Sequence, residues 1–318
     1  MTLQIPTTGL ATWHRPSTRV AAALAITALA CVAAMVVDQR TVLGAPVWAK
    51  LLKFAISGAL YFFTWGWLVS LLPRFRRTAH VATNVVIVLF IAEYAVMVFQ
   101  AVRGRPSHFN NATPLDNTLF QIMGGMVAVI WIATLVLTVL LMFTRLEDRA
   151  THWAVRTGAV ISLIGIGLGA LMTSPTAAQM ASLKATGASA LVGAHSVGVT
   201  DGGPGLPILG WSTTGGDLRI PHFAGMHALQ LLPLVALGLG LLATRIPRLR
   251  DSAVRVRLVW VATLGYAGLV ALVTWQALRG ESLVHPSAPT LTAAGALLAA
   301  VVLGGVASVY RPSRELVR

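Results

Sequence analysis

Eight apolar runs of about twenty residues each constrain this chain more than any motif does. They lie at roughly 20–37, 48–70, 81–102, 118–144, 155–173, 222–243, 258–278 and 290–310. Crossing ~30 Å of hydrocarbon takes ~20 helical residues, because each residue adds ~1.5 Å of rise. No run alternates polar and apolar residues as a membrane barrel strand does, so the spans are expected to be helices. Composition agrees: 56% of the 318 residues are hydrophobic and only 11% are charged, where a soluble domain carries about 25% charged residues. The mean hydropathy is +0.76. The expected fold is an all-α integral membrane protein of about eight transmembrane helices. The fifth run is the weakest, because Gly165, Gly167 and Gly169 dilute it.

The net charge of +14 would suggest nucleic acid if it were evenly spread. It is not. Placing the N-terminus inside puts 16 of the 24 lysines and arginines on inner segments, among them Arg74, Arg76, Arg77, Arg145, Arg149, Arg248, Arg250, Arg255 and Arg257. Basic residues on alternate loops set membrane orientation, so the charge reads as topology, with both termini cytoplasmic. The partners implied are the lipid bilayer and, beyond it, a second copy of the chain or another membrane protein, not nucleic acid. Cys31 is the only cysteine, which excludes disulfides, iron–sulfur clusters and covalent c-type haem. Ala-Leu-Ala-Cys at 28–31 looks like a lipoprotein cleavage site, but the apolar run continues through Val37, so the first helix reads as an uncleaved signal anchor.

VMVFQAVRG at 96–104 and LVTWQALRG at 272–280 match at four positions, and the other five are apolar or similar in size. The helix spacing supports a parallel 4+4 repeat, with 20–144 as the first half and 145–310 as the second, between cytoplasmic ends 1–19 and 311–318. The alternative is two independent uses of one helix-ending device. The second half carries an extra segment, 174–221, with nine glycines between Gly187 and Gly216. It reads either as a linker or, because Val197, Leu206, Ile208 and Trp211 are apolar enough to pack, as an ordered outer cap.

This topology gathers His108, His195, His222, His227 and His285 on the outer side, with Asn110, Asn111, Asp116, Asp201, Asp217 and Arg219. Glu93, Met97 and Gln100 form one helical stripe, with Arg103 beside it. An unpaired carboxylate at the depth of Glu93 is costly, so it is expected to be either protonated or paired with a cation, and Lys50 and Lys53 at the outer end of the second helix are the candidate cations. Glu93 then belongs either to a proton relay or ion site, or to a buried structural pair with Lys53. The repeat sets Lys53 opposite His227. His222 and His227, five residues apart, do not share a helix face, whereas His227 and Gln230 do. Pro233 is expected to bend the sixth helix nearby. His222 and His227 are candidate ligands for a haem or quinone-like cofactor, or partners for another helix. His108 and His195 are candidates for a transition metal. Arg103-Gly104 and Arg279-Gly280 fit helix C-caps without any functional role, and His285 sits in a plain His-Pro turn. Asp116 or Asn117 is expected to cap the fourth helix.

WAKLLKFAISGALYFFTW, RGRPSHFNNATPLD and DGGPGLPILGWSTTGGDLRIPHFAGMHALQLLPL together resemble a family of multi-spanning bacterial membrane proteins with no established activity. The resemblance implies a bacterial plasma membrane location. The eight-helix layout with outward histidines is also similar, at the level of fold, to haem A synthase, which would imply haem. The chain departs from that pattern: helices two, four and eight hold no histidine, and no cysteine pair occurs in an outer loop. Three functions follow as expectations: a redox protein holding a haem, metal or quinone at an outer site, a small-molecule or ion transporter, or a non-catalytic sensor or assembly subunit. No nucleophile elbow, P-loop or HExxH motif is present, which argues against a hydrolase or a nucleotide-driven pump.

Overall fold

In the computed structural model, residue 9 and residues 12–311 are described. Most of the expected cytoplasmic ends, including Arg314 and Arg318, therefore lie outside the described residues. Among the described residues, ten α-helices carry the fold: α1 (Arg15–Val37), α2 (Ala49–Ser70), α3 (Arg76–Val102), α4 (Pro114–Met142), α5 (Arg149–Leu168), α6 (Ala177–Thr186), α7 (Arg219–Met226), α8 (Ala228–Leu242), α9 (Ser252–Leu278) and α10 (Ala288–Tyr310). Seven spans among the described residues are long and apolar enough to cross a membrane, α5 together with the 3₁₀ turn that extends it to Thr173 being one of them. The pair α7–α8, bent by 44°, makes an eighth if it counts as one span. The protein is thus an all-α, multi-span membrane protein. Its only strands among the described residues are two-residue hairpins, β1 (Thr41–Val42) with β2 (Ala45–Pro46) and β3 (Ser196–Val197) with β4 (Gly216–Asp217).

Local chemistry sets the helix ends. α1 starts at Arg15, five residues earlier than its apolar run, with Pro16 in its first turn, where a missing N–H costs nothing. The expected cap of α4 is corrected: Thr113, not Asp116 or Asn117, is the N-cap, and its hydroxyl accepts from the Asp116 N–H at 3.1 Å. α5 starts on Asp148, which accepts from the Thr151 N–H at 2.8 Å. α6 opens on a capping box between Thr176 and Gln179. At the other end of α3, the N–H groups of Gly104 and Arg105 bond the carbonyls of Ala101 and Gln100. At the end of α9, those of Gly280 and Glu281 bond Ala277 and Gln276 in the same way. Both are Schellman closures, and both put glycine at positive φ, +67° and +72°, where a Cβ would be strained.

α1 packs on α2 and α3 on α4; α5 packs on α7, α8 and α9, and α9 on α10. The two groups meet where α4 touches α5 and α2 touches α8. Phe62 and Trp65, at 0% and 1% exposure, fill the centre of the first group. The glycines that weaken the fifth run are what let α5 pack closely. A Cβ on Gly165 would lie 2.3 Å from the Gly225 carbonyl carbon, and one on Gly158 would lie 2.8 Å from the Ala228 oxygen. Small residues are how membrane helices approach backbone to backbone.

The bend expected near Pro233 is displaced. Pro233 lies within α8, and the break falls at Met226–His227. The contact of Gly225 with Gly165 sits beside that break. Carbonyls next to it are bonded by side chains: Ser162 donates to Met226 at 2.8 Å and Tyr266 to Ala224 at 2.5 Å. A broken helix at membrane depth is tolerable only with such partners.

The 174–218 segment is an ordered cap lying over the other loops at its end of the bundle. Leu191 bridges to Asn110, the Val192 N–H bonds Phe109 and the Ala194 N–H bonds Met172. Gly202 abuts Gly44 of the first hairpin. Ser282, after α9, donates to the Ser212 carbonyl at 3.3 Å. At the opposite, arginine-rich end, Arg248 and Arg257 reach the carbonyls of Val309, Ser308 and Arg311.

Candidate functional site at the capped end

Glu93 is 5% exposed on α3, on one stripe with Met97 (2%) and Gln100 (0%). Neither lysine forms an ion pair with Glu93; the side chain beside it is the His108 imidazole, with Nε2 4.0 Å from Glu93 Oε1. Lys50 is the lysine whose charge acts on Glu93. The expected Glu93–Lys53 pair is corrected, because Lys53 turns to the cap and donates to the Leu209 carbonyl at 2.8 Å. A three-residue spacing decides this. Lys50 and Lys53 stand about 60° apart around α2, enough to direct one toward α3 and the other toward the cap.

His108 is held in the 103–113 loop, with Ser107 Oγ 3.0 Å from its Nδ1. The next residue, Phe109, is 6% exposed and at φ +62°. A bulky residue in left-handed backbone is strained, and such strain persists only where the surroundings enforce it. Here the cap enforces it. Gly193 lies against the Phe109 ring, where a Cβ would come within 2.6 Å, and the Phe109 carbonyl accepts from Val192. The Phe109 ring then stands between two histidines, its centroid 6.1 Å from His108 and 5.0 Å from His195.

His195 forms a dyad with Asp201, Nδ1 to Oδ2 at 2.7 Å. The backbone N–H groups of His195 and Ser196 also donate to the Asp201 carboxylate, at 2.8–3.1 Å. Burial alone would raise the Asp201 carboxyl, but the His195 bond and charge and these N–H groups hold it well below the usual carboxylate range. Burial pushes His195 down despite Asp201, and Lys50 adds to that. Burial, Lys50 and His195 push His108 well below an ordinary histidine. With Asp201 ionised, Nδ1 of His195 carries the proton, and Nε2 is left as a base that the carboxylate strengthens. Lys50 is the hub, acted on by Glu93, Lys53, Arg219 and Asp201. The cluster is therefore two imidazoles on either side of one phenyl ring, with a buried carboxyl beside His108 and the Lys50 ammonium in electrostatic reach, a set able to hydrogen-bond a polar ring and to give or take protons.

The other candidates form three separate groups. Gln100 Nε2 and Arg103 Nη1 both donate to Asp116 Oδ1, at 2.9 and 2.7 Å, and Asp116 is fully buried. They tie α3 to α4. Asp217 and Arg219 make a two-pronged ion pair that anchors the start of α7, and Arg219 also donates to the Gly210 carbonyl at 2.6 Å. His227 lies at the α7–α8 break with Nδ1 3.2 Å from Gln230 Oε1, and Gln230 donates to Thr64 of α2 at 3.2 Å. The shared face expected for His227 and Gln230 is present. His285 is exposed and apart from all of these.

The donor sets do not favour a metal. Among the described residues, no three His, Cys, Asp or Glu side chains converge to hold one, so His108 and His195 lack the further ligand a site requires. A haem fits poorly at His222. Its Nδ1 bonds the Gly165 carbonyl at 2.8 Å, and its ring lies against Gly169, with Cε1 only 3.1 Å from where a Cβ would stand. Phe109, Gly193 and the pairing of Asp201 with His195 escape sequence reasoning. The one available signal was the density of glycines around 193–203.

Fold and site together define a polytopic helical membrane protein with a polar, titratable cluster beneath an ordered loop cap. No protein-family model, curated protein or solved structure matches this chain.

Proposed function

We propose that the protein is a bacterial plasma-membrane protein of 4+4 helical architecture that binds a quinone-type headgroup at its capped, extracytoplasmic end and exchanges protons with it. The observation that carries this reading is the grouping of His108 and His195 around Phe109, with Glu93 and Lys50 in electrostatic reach. A quinone ring needs an aromatic or apolar wall, donors for its two carbonyls and a route for protons. Phe109, the two imidazoles and the Asp201–His195 dyad supply these in turn. The matching order of helix contacts, α1 on α2 and α5 on α7–α8, then α3 on α4 and α9 on α10, supports the repeat. The test is to purify the protein in mild detergent, extract bound lipids and identify any quinone. Quinone co-purifying with wild type and lost from His195→Gln supports the reading. A Soret band lost on His227→Ala would replace it with a haem protein.

A second reading, transport, rests on the broken α7–α8 span and on a polar stripe of α2. Lys53, Ser57, Tyr61 and Thr64 follow one another along that helix, and Thr64 meets Gln230 beside the break. Uptake of a solute by proteoliposomes, abolished by Gln230→Leu, would favour it.

A further inference from the structure

At the arginine-rich end, the approach to α1 and the ends of α2 and α3 line a half-open pocket of about 420 Å³. Its polar walls include His14 and Arg15 at the start of α1, Ser70 at the end of α2, and Arg76, His80 and Asn84 on α3. The last three stand at i, i+4 and i+8, so a single face of α3 presents a guanidinium, an imidazole and an amide. His14 is 5% exposed, with Nδ1 2.8 Å from Ser17 Oγ and its ring centroid 4.7 Å from that of His80. Arg76 donates Nε to the Leu72 carbonyl at 3.1 Å, which leaves the rest of its fork to face the cavity.

Among the described residues, no carboxylate pairs with this group. Residues 12–37 and 70–92 contain no aspartate or glutamate, and none of the ion pairs among the described residues involves the cavity's arginines or histidines. The second half handles the same place differently. Its first helix, α5, is capped by Asp148, whereas His14 stands at the N-cap of α1 without a capping bond; Asp148 accepts from the Thr151 hydroxyl where His14 meets that of Ser17. Arg255 of α9 then donates to Asp148 at 2.9 Å, from 8% exposure. One half supplies its own anion, while the other presents cations around an open volume.

We propose that this cavity binds a phosphate group, carried either by an anionic phospholipid or by a free phosphate ester. The guanidinium fork matches phosphate geometry and holds it more strongly than a neutral donor would. Basic pockets between membrane helices on the cytoplasmic side suit anionic headgroups, and the positive-inside pattern puts this end there. Trp13, which also lines the cavity, packs its ring 5.0 Å from that of Phe63, a side chain 50% exposed on the apolar surface of α2. Tryptophan in such a place marks headgroup depth.

The test uses the full-length protein in nanodiscs of phosphatidylcholine, with and without added phosphatidylglycerol, and separately with inorganic phosphate. Thermal midpoint and lipid retained in native mass spectrometry are the readouts. Arg76→Gln and His80→Gln alter the cavity; Arg77→Gln changes the neighbouring residue, which does not line it. Phosphatidylglycerol is expected to stabilise wild type and Arg77→Gln, and to bind about tenfold more weakly to the cavity variants, a loss of ~1.4 kcal/mol. Stabilisation by inorganic phosphate in neutral lipid, lost in the same variants, assigns the site to a soluble phosphate; a response to the lipid alone assigns it to the headgroup. If Arg76→Gln does not fold, the exposed His80 decides the matter through His80→Gln. No response to either anion, or equal responses in wild type and the cavity variants, overturns the proposal.

Discussion

At 100–105 and at 276–281 the chain closes an apolar helix with the same pair of backbone bonds, and in each copy the arginine lies over the aromatic ring four residues before it, Phe99 at 5.3 Å and Trp275 at 4.5 Å. The turns then diverge. After the first, Gln100 and Arg103 converge on Asp116 from the following helix, and the loop beyond is shaped by the cap into the His108–Phe109 site. After the second, the acid comes from the turn itself. Glu281 accepts from the hydroxyls of Ser287 and Thr290 at 3.1 and 2.9 Å, and Gln276 donates to the Ser282 carbonyl. The hairpin of the cap seats directly on that second turn, Gly216 against the Ala277 carbonyl. Identical helix-ending chemistry therefore says nothing about function. What differs is whether the space beyond the turn is sealed by backbone or lined by titratable side chains.

The largest break in this comparison is expected at the sealed turn. A Cβ on Gly216 would stand 2.0 Å from the Ala277 oxygen. Gly216→Ala should unseat the cap and cost 3 kcal/mol or more, on the order of the worst overpacking seen in cores; limited proteolysis of the 174–218 segment in wild type and variant checks it. Next is Asp116→Ala, which strands Arg103 and Gln100 against a buried void and should cost on the order of 3 kcal/mol. Glu281→Gln should lower the unfolding midpoint by less, because the amide oxygen can still accept from Ser287 and Thr290.

The pH response should also separate the two ends of the first loop. His108 and His195 sit below the ordinary histidine value in the folded protein. Their contribution to stability is therefore complete above about pH 6.5 and is lost as pH falls below it. The charged groups that act on them are Lys50 of α2, Glu93 of α3, Asp201 of the cap and Arg219 of α7. The unfolding midpoint should drop on acidification, and His195→Gln should flatten that drop. Smaller still is Gly104→Ala, with open space around the added carbon but φ at +67°; a loss of about 1 kcal/mol is expected. His285→Ala should leave stability unchanged.

The helical spans were legible because hydrophobic length is a local property: each of the eight runs falls on a helix or on the bent pair. The break at Met226–His227 was not, because its setting is the contact of Gly225 with Gly165, sixty residues away in the chain. The Glu93–Met97–Gln100 stripe was readable from helical spacing, and the burial of all three residues follows it. The choice between Lys50 and Lys53 was not, since it depends on where the cap places the Leu209 carbonyl. The Asp201–His195 dyad was hidden for the same reason. Its two residues are six apart in a glycine-rich segment, and only the folded loop directs both backbone N–H groups at one carboxylate.

The account turns on the cluster around Phe109, and quinone binding tests it most directly. The measurement is a calorimetric titration of the detergent-purified protein with short-chain benzoquinone and naphthoquinone analogues, run on wild type, Glu93→Gln, His195→Gln and His285→Gln. Saturable binding to wild type and His285→Gln, weakened about tenfold or more in the other two, is the predicted result, equivalent to ~1.4 kcal/mol or more. Absence of binding to wild type, or equal affinity across all four proteins, would contradict it.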